Sequence, residues 1–185
     1  MKYKGNVKII LFYVVIFLTS AGCSQVKKGQ VMIMIYQNQV DSYEEDSLVN
    51  NIIPPQVNLV GYIINYSDST LLVPINGLKK KEYKSKLVAI LEGDTLDFYV
   101  SRPEKVIASQ DLQGLFLQIN QEEVKRKKYD QHRYPFYRDY IVDFIRYGDF
   151  KFIYDPADAK KTPPIASEIL VIRKKNSPII FLDSF

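Results

Sequence analysis

Few residues in this chain could take part in chemistry, and most of those are acidic. Asp139 and Asp143 stand four apart, a spacing that puts both on one face of a helix, and two carboxyl groups flanking a cleft can hydrolyse a glycosidic bond. Arg138 and Arg146 lie beside them and relieve the charge, so the pair also reads as a solvated face. Asp41, Glu44, Glu45 and Asp46 are concentrated enough to attract calcium but lack the spacing and glycine of a calcium loop. His132 is the only histidine, in a charged run, and reads as solvated; a zinc site of the HExxH kind would need two. The chain has no nucleophile elbow, phosphate-binding glycine loop or dinucleotide fingerprint. No catalytic residue, metal site or cofactor is therefore expected, although a serine activated by a lysine stays open.

The other candidate chemistry is recognition. Tyr129, Tyr134, Phe136, Tyr137, Tyr140 and Tyr147 are interleaved with Arg133, Arg138 and Arg146. Tyrosine offers a large apolar face with a polar tip, and arginine stacks on rings or forks onto carboxylates, so interfaces favour both. If this segment contacts an envelope protein or a glycan, Tyr134, Tyr137 and Arg138 should be exposed and clustered. If the rings instead pack a helix onto a sheet, most should be buried, and Tyr140 and Phe144 do sit at core spacing.

The elements that must position these residues are mainly strands. Apolar, branched runs at 31–36, 57–65, 70–75, 87–91, 95–100, 106–108, 115–119, 150–154, 169–173 and 179–182 are separated by polar turns. Glu92-Gly93-Asp94 reads as a tight hairpin turn, because glycine supplies positive φ. Segment 135–147 carries Phe136, Tyr140, Ile141, Phe144 and Ile145 at helical spacing, with Pro135 to start it and Gly148 to stop it. Tyr140, Val142 and Phe144 also alternate, which leaves a strand reading open. Asn120 before Gln121-Glu122-Glu123 can cap a short helix ending near Lys128. The pattern predicts a mainly β protein, an antiparallel sandwich with a helical insertion near 135–147; an α+β fold is the alternative. Residues 57–75, VNLVGYIINYSDSTLLVPI, resemble the hairpin of immunoglobulin-like sandwich domains in Bacteroidetes envelope lipoproteins, and the resemblance implies a fold without transferring any functional residue.

The N-terminus carries an address. Lys2, Lys4 and Lys8 precede the apolar run 9–18, which at ten residues is too short for a comfortable membrane span. Ser20-Ala21-Gly22-Cys23 follows and resembles the lipobox of bacterial lipoproteins, with Ser20 departing from the commoner Leu. The resemblance implies cleavage before Cys23 and lipid on its thiol. Cys23 is the only cysteine, so no internal disulfide competes for it. The expected organisation is a signal peptide at 1–22, a lipidated cysteine and tether at 23–30, and one β-rich domain at 31–185.

Without residues 1–22 the chain has 22 basic and 21 acidic residues, a net charge of +1 in place of +4. A general attraction to nucleic acid loses its support. Basic runs at 79–81, 84 and 86, at 125–128 and at 173–175 read as polar ends of elements, or as contacts to anionic headgroups if they face the membrane. Ser24 stands where an inner-membrane retention signal would carry Asp, which points to the outer membrane, facing the periplasm. The expected role is a lipid-anchored envelope protein held to the membrane through Cys23, acting as a non-catalytic binding or structural module for an envelope protein or glycan. The alternative is a small hydrolase using Asp or Glu residues.

Overall fold

The computed structural model describes residues 31–41, 55–101, 105–127, 130, 132–134, 136–173 and 178–182. Cys23, the segments on either side of it, Glu44, Glu45, Asp46, Tyr129 and Pro135 lie outside them. In chain order the elements are β1 (Val31–Asp41), β2 (Val57–Asn65), β3 (Leu71–Val73), β4 (Lys86–Leu91), β5 (Asp94–Val100), β6 (Lys105–Ile107), β7 (Leu112–Ile119), α1 (Gln121–Arg126), α2 (Tyr137–Tyr147), β8 (Asp149–Ile153), a 3-10 turn (Pro156–Asp158), β9 (Ile169–Arg173) and β10 (Ile179–Leu182). The fold is mainly β with a helical insertion, as the strand pattern predicts.

The strands are arranged differently from two facing sheets. Eight of them join in one sheet in the order β10, β1, β2, β7, β5, β4, β8, with β9 also on β1, and β3 and β6 form a separate pair. β9 and β10 run parallel to β1, whereas β2 lies antiparallel to it. The sheet curls until its ends, β8 and β9, lie side by side, giving a near-barrel. No ladder joins β8 to β9 among the described residues; Arg173 bridges them, its guanidinium 5.0 Å from the Phe150 ring and donating to the Arg146 carbonyl at 2.7 Å.

Alternation sets the two faces. Leu59 and Ile63 of β2, Leu115 and Leu117 of β7, Phe98 and Val100 of β5, and Leu87 and Ala89 of β4 point into one core. β1 keeps its inward set through a bulge: Ile35 pairs with Gly61 and Gln37 with Val60, leaving Tyr36 as the extra residue. Glycine is required at position 61, because a Cβ there would sit 2.2 Å from the Met34 carbonyl oxygen. The β4–β5 hairpin closes through Glu92 and Gly93 alone, both at positive φ, so Asp94 already belongs to the strand opposite Leu91.

The expected hairpin over 57–75 does not form, since β2 pairs with β1 and β7 and β3 pairs with β6. Both edges of β2 are occupied, and the Asn65 side chain turns the chain out of the sheet. Its amide donates to the carbonyls of Ser69, Ile107 and Ala108 at 2.8, 3.1 and 3.0 Å. Its oxygen accepts from the Ser67 amide and hydroxyl at 2.9 and 2.7 Å.

Of the segment read as helix or strand, Tyr137–Tyr147 forms helix α2. Tyr140, Ile141, Phe144 and Ile145 form one buried stripe, which a strand would split between two faces. α1 is capped as its sequence predicts, the Asn120 side chain accepting from the Glu122 amide at 3.0 Å. No helix among the described residues is long and apolar enough to cross a membrane.

Candidate functional site

The segment expected to bind is divided, with Tyr134 and Tyr140 buried and Phe136 and Tyr147 exposed. Tyr134 is buried: its ring meets Tyr140 edge-on at 5.4 Å and its hydroxyl donates to Asp143 at 3.0 Å. Burial, and then the bond to Asp143, raise its pKa. Tyr137 is half-buried against the core, and Arg138 is exposed beside Asp139 at 3.7 Å. Tyr134, Tyr137 and Arg138 therefore form no outward cluster. The helical stripe that holds α2 on β4 draws Tyr134 over it, so that ring is packed and not displayed. Asp139 and Asp143 do not converge either, since one pairs with Arg138 and the other accepts from Tyr134. His132 is exposed, as expected.

Two surfaces remain, on the outward faces of adjoining strands. The first is a groove of about 560 Å³ over β4 and β5, lined by Asn76, Lys81, Lys84, Lys86, Asp97 and Tyr99 among others. Asn76 shapes its rim, accepting from the amides of Glu82 and Tyr83 at 2.8 and 2.9 Å and donating to the Tyr83 carbonyl. Behind the rim, the buried Asp158 carboxylate accepts from the Lys84 amide at 2.9 Å and from the Ser85 amide and hydroxyl, both at 2.7 Å. Burial alone would raise the Asp158 pKa, but these donors outweigh it and the net shift is downward.

Charge in this groove is spent internally. Lys86 pairs with Asp97 at 2.9 Å, and Glu123 takes Lys81 and the Tyr99 hydroxyl. Burial pushes the Glu123 pKa up, yet Lys81, Tyr99 and Lys86 pull it further down, so the carboxylate is held ionised. Burial and the bond to Glu123 raise the Tyr99 phenol. A glycosidase needs one carboxyl group kept protonated beside an ionised one. Here Glu123 is held ionised and Asp97 is paired with Lys86, an arrangement unlike that pair.

The second surface is the outward face of β1, β2 and β7, where register places residues in rows. Gln39, Asn58 and Gln118 form one row, Gln37, Val60 and Phe116 the next, and Met34, Tyr62 and Gly114 a third. Tyr36, displaced by the bulge, stacks on Tyr62 with ring centroids 5.2 Å apart and planes at 25°. Burial and a hydrogen bond with Tyr62 raise the Tyr36 phenol pKa. Gln118 donates to the Asn58 oxygen at 3.1 Å. Tyr36 and Phe116 are 38% and 36% exposed, Phe116 on the part of β7 that β5 leaves unpaired. A Cβ at Gly114 would meet nothing within 4 Å, so the surface is open beside Tyr62.

Sequence reading passed over Tyr36, Tyr62, Phe116, Asn58 and Gln118 because each lies within a strand that already reads as structure. The available signal was parity: 58, 60 and 62 share one face, as do 114, 116 and 118. That the two sets adjoin depends on β2 pairing with β7 across more than 45 residues of intervening chain. Comparison with family models, with curated proteins and with solved structures gives no match, so the reading of this surface rests on its own chemistry.

Proposed function

We propose that this chain is a lipid-anchored envelope protein, held at the outer membrane by acyl chains on Cys23 and facing the periplasm, whose domain acts by binding. Its address is supported by the basic start, the short apolar run and the Ser-Ala-Gly-Cys sequence around the solitary cysteine. The tether 23–30, eight residues long, reaches at most about 28 Å, which keeps the domain close to the bilayer. Its mode of action is supported chiefly by one observation, the exposed rings of Tyr36 and Phe116 set among carboxamides on the outward face of β1, β2 and β7. Exposed apolar groups gathered on a rigid face mark sites of interaction.

Metabolic labelling with alkyne-palmitate tests the anchor: the full chain should take up label and fractionate with membranes, and Cys23→Ser should do neither. Label retained by the variant would overturn the lipid assignment. For binding, a photoreactive phenylalanine analogue at position 116 should give a crosslinked species in intact envelopes, and its absence would count against a binding role for this face.

A further inference from the structure

The rows on β1, β2 and β7 combine two recognition chemistries in one plane. Tyr62, backed by Tyr36, and Phe116 on the neighbouring strand present rings at diagonal positions. Beside them, Gln39, Asn58 and Gln118 present carboxamides, which carry both donors and acceptors. No charged residue occupies these three rows. The ammonium at their edge, Lys105, already donates to the Gly114 carbonyl at 3.3 Å, so an ionic ligand would lose hydration over the rows with little compensating charge, which is unfavourable. A protein partner would favour arginine and apolar anchors in a centre that can be fully dried, whereas here the rings are bordered by amides. A sugar matches both parts: its C–H face is attracted to the negative face of a ring, and its hydroxyl groups both donate and accept.

We propose that this face binds a neutral glycan, with pyranose rings over Tyr62 and Phe116, the chain passing above Gly114, and hydroxyl groups hydrogen-bonded to Asn58, Gln118 and Gln39. The proposal rests on reading the domain as a binding module and adds the class of ligand. Gly114 provides the passage: a Cβ there would meet nothing within 4 Å, and a side chain built on it would stand between the rings.

Isothermal titration decides the matter, using the full lipidated chain in a detergent without a sugar headgroup and cellohexaose, xylohexaose, maltohexaose and chitohexaose as probes. At least one should bind, and Tyr62→Ala and Phe116→Ala should each weaken it about tenfold or more, the loss expected for a stacking contact. Gly114→Val should abolish binding with the melting temperature unchanged or raised, which separates a blocked site from an unfolded one. No binding by any probe up to about 5 mM, or binding that survives Gly114→Val, overturns the proposal. Crosslinking from position 116 distinguishes the two failures: an envelope protein captured there with no glycan bound would overturn the glycan and keep the binding module. Neither glycan nor crosslink would remove both.

Discussion

At the scale of single residues, Asp158 shows how a buried charge can organise a surface it does not touch. Its carboxylate is 7% exposed and joins the loop at Lys84 and Ser85 to the 3-10 turn, and Ser85 in turn accepts from the Asp155 amide at 2.9 Å. Asp158→Asn keeps the shape but turns an acceptor into a donor facing donors, so it should cost about 1–3 kcal/mol. Because the folded pKa lies below its usual value of 3.8, the unfolded chain takes up the proton first as pH falls. The stabilisation is therefore complete above the ordinary aspartate range and is lost as pH drops through the lower, folded value. Thermal melts of wild type and variant should differ most near neutral pH and converge toward pH 3. A gap that stays constant would show that the charge is not what matters.

At the scale of elements, the bulge in β1 links a packing constraint to the proposed site. One extra residue at Tyr36 lets Ile33 and Ile35 before it, and Asn38 and Val40 after it, all point inward. It also puts the Tyr36 ring over Tyr62. Gly61→Ala would force its Cβ into the Met34 backbone and should cost on the order of 3 kcal/mol, visible as a clear fall in melting temperature. Gly114→Val, on the neighbouring strand β7 and facing open space, should not. Equal losses would mean that neither glycine owes its place to the contacts described here.

At the scale of the whole molecule, the near-barrel has one weak line. Every other neighbouring pair in the large sheet is joined by a ladder, while β8 and β9 meet through Arg173, half-buried between the Phe150 ring and the Arg146 carbonyl. Such a contact contributes about 1–3 kcal/mol, and it stands where the other strand pairs have a row of backbone bonds. Native-state hydrogen exchange should show β2 and β7 most protected and the facing edges of β8 and β9 least. Arg173→Ala should speed exchange in β8 and β9 and leave β2 and β7 unchanged. Uniform acceleration would show that the seam is not an independent unit.

Much of this was open to one-dimensional reading because it depends on neighbours along the chain. The apolar runs located β2 and β10 to the residue and the β4–β5 hairpin by Glu92-Gly93-Asp94, one residue longer than the turn that forms, and Asn120 marked the start of α1. The helix of 137–147 was visible as a stripe but ambiguous, until burial of Ile141 and Ile145 beside Tyr140 and Phe144 ruled out a strand. Partner choice was not legible. Alternation states which side chains share a face, not which strand lies alongside, so the 57–75 hairpin looked plausible although β2 pairs with β1 and β7. The same gap explains the site. Tyr134 and Tyr137 stood out because they are close in sequence, yet the core claimed the first and half-claimed the second. Tyr36, Tyr62 and Phe116 come together only through long-range register, and no local pattern can encode which distant strand will supply the neighbouring ring.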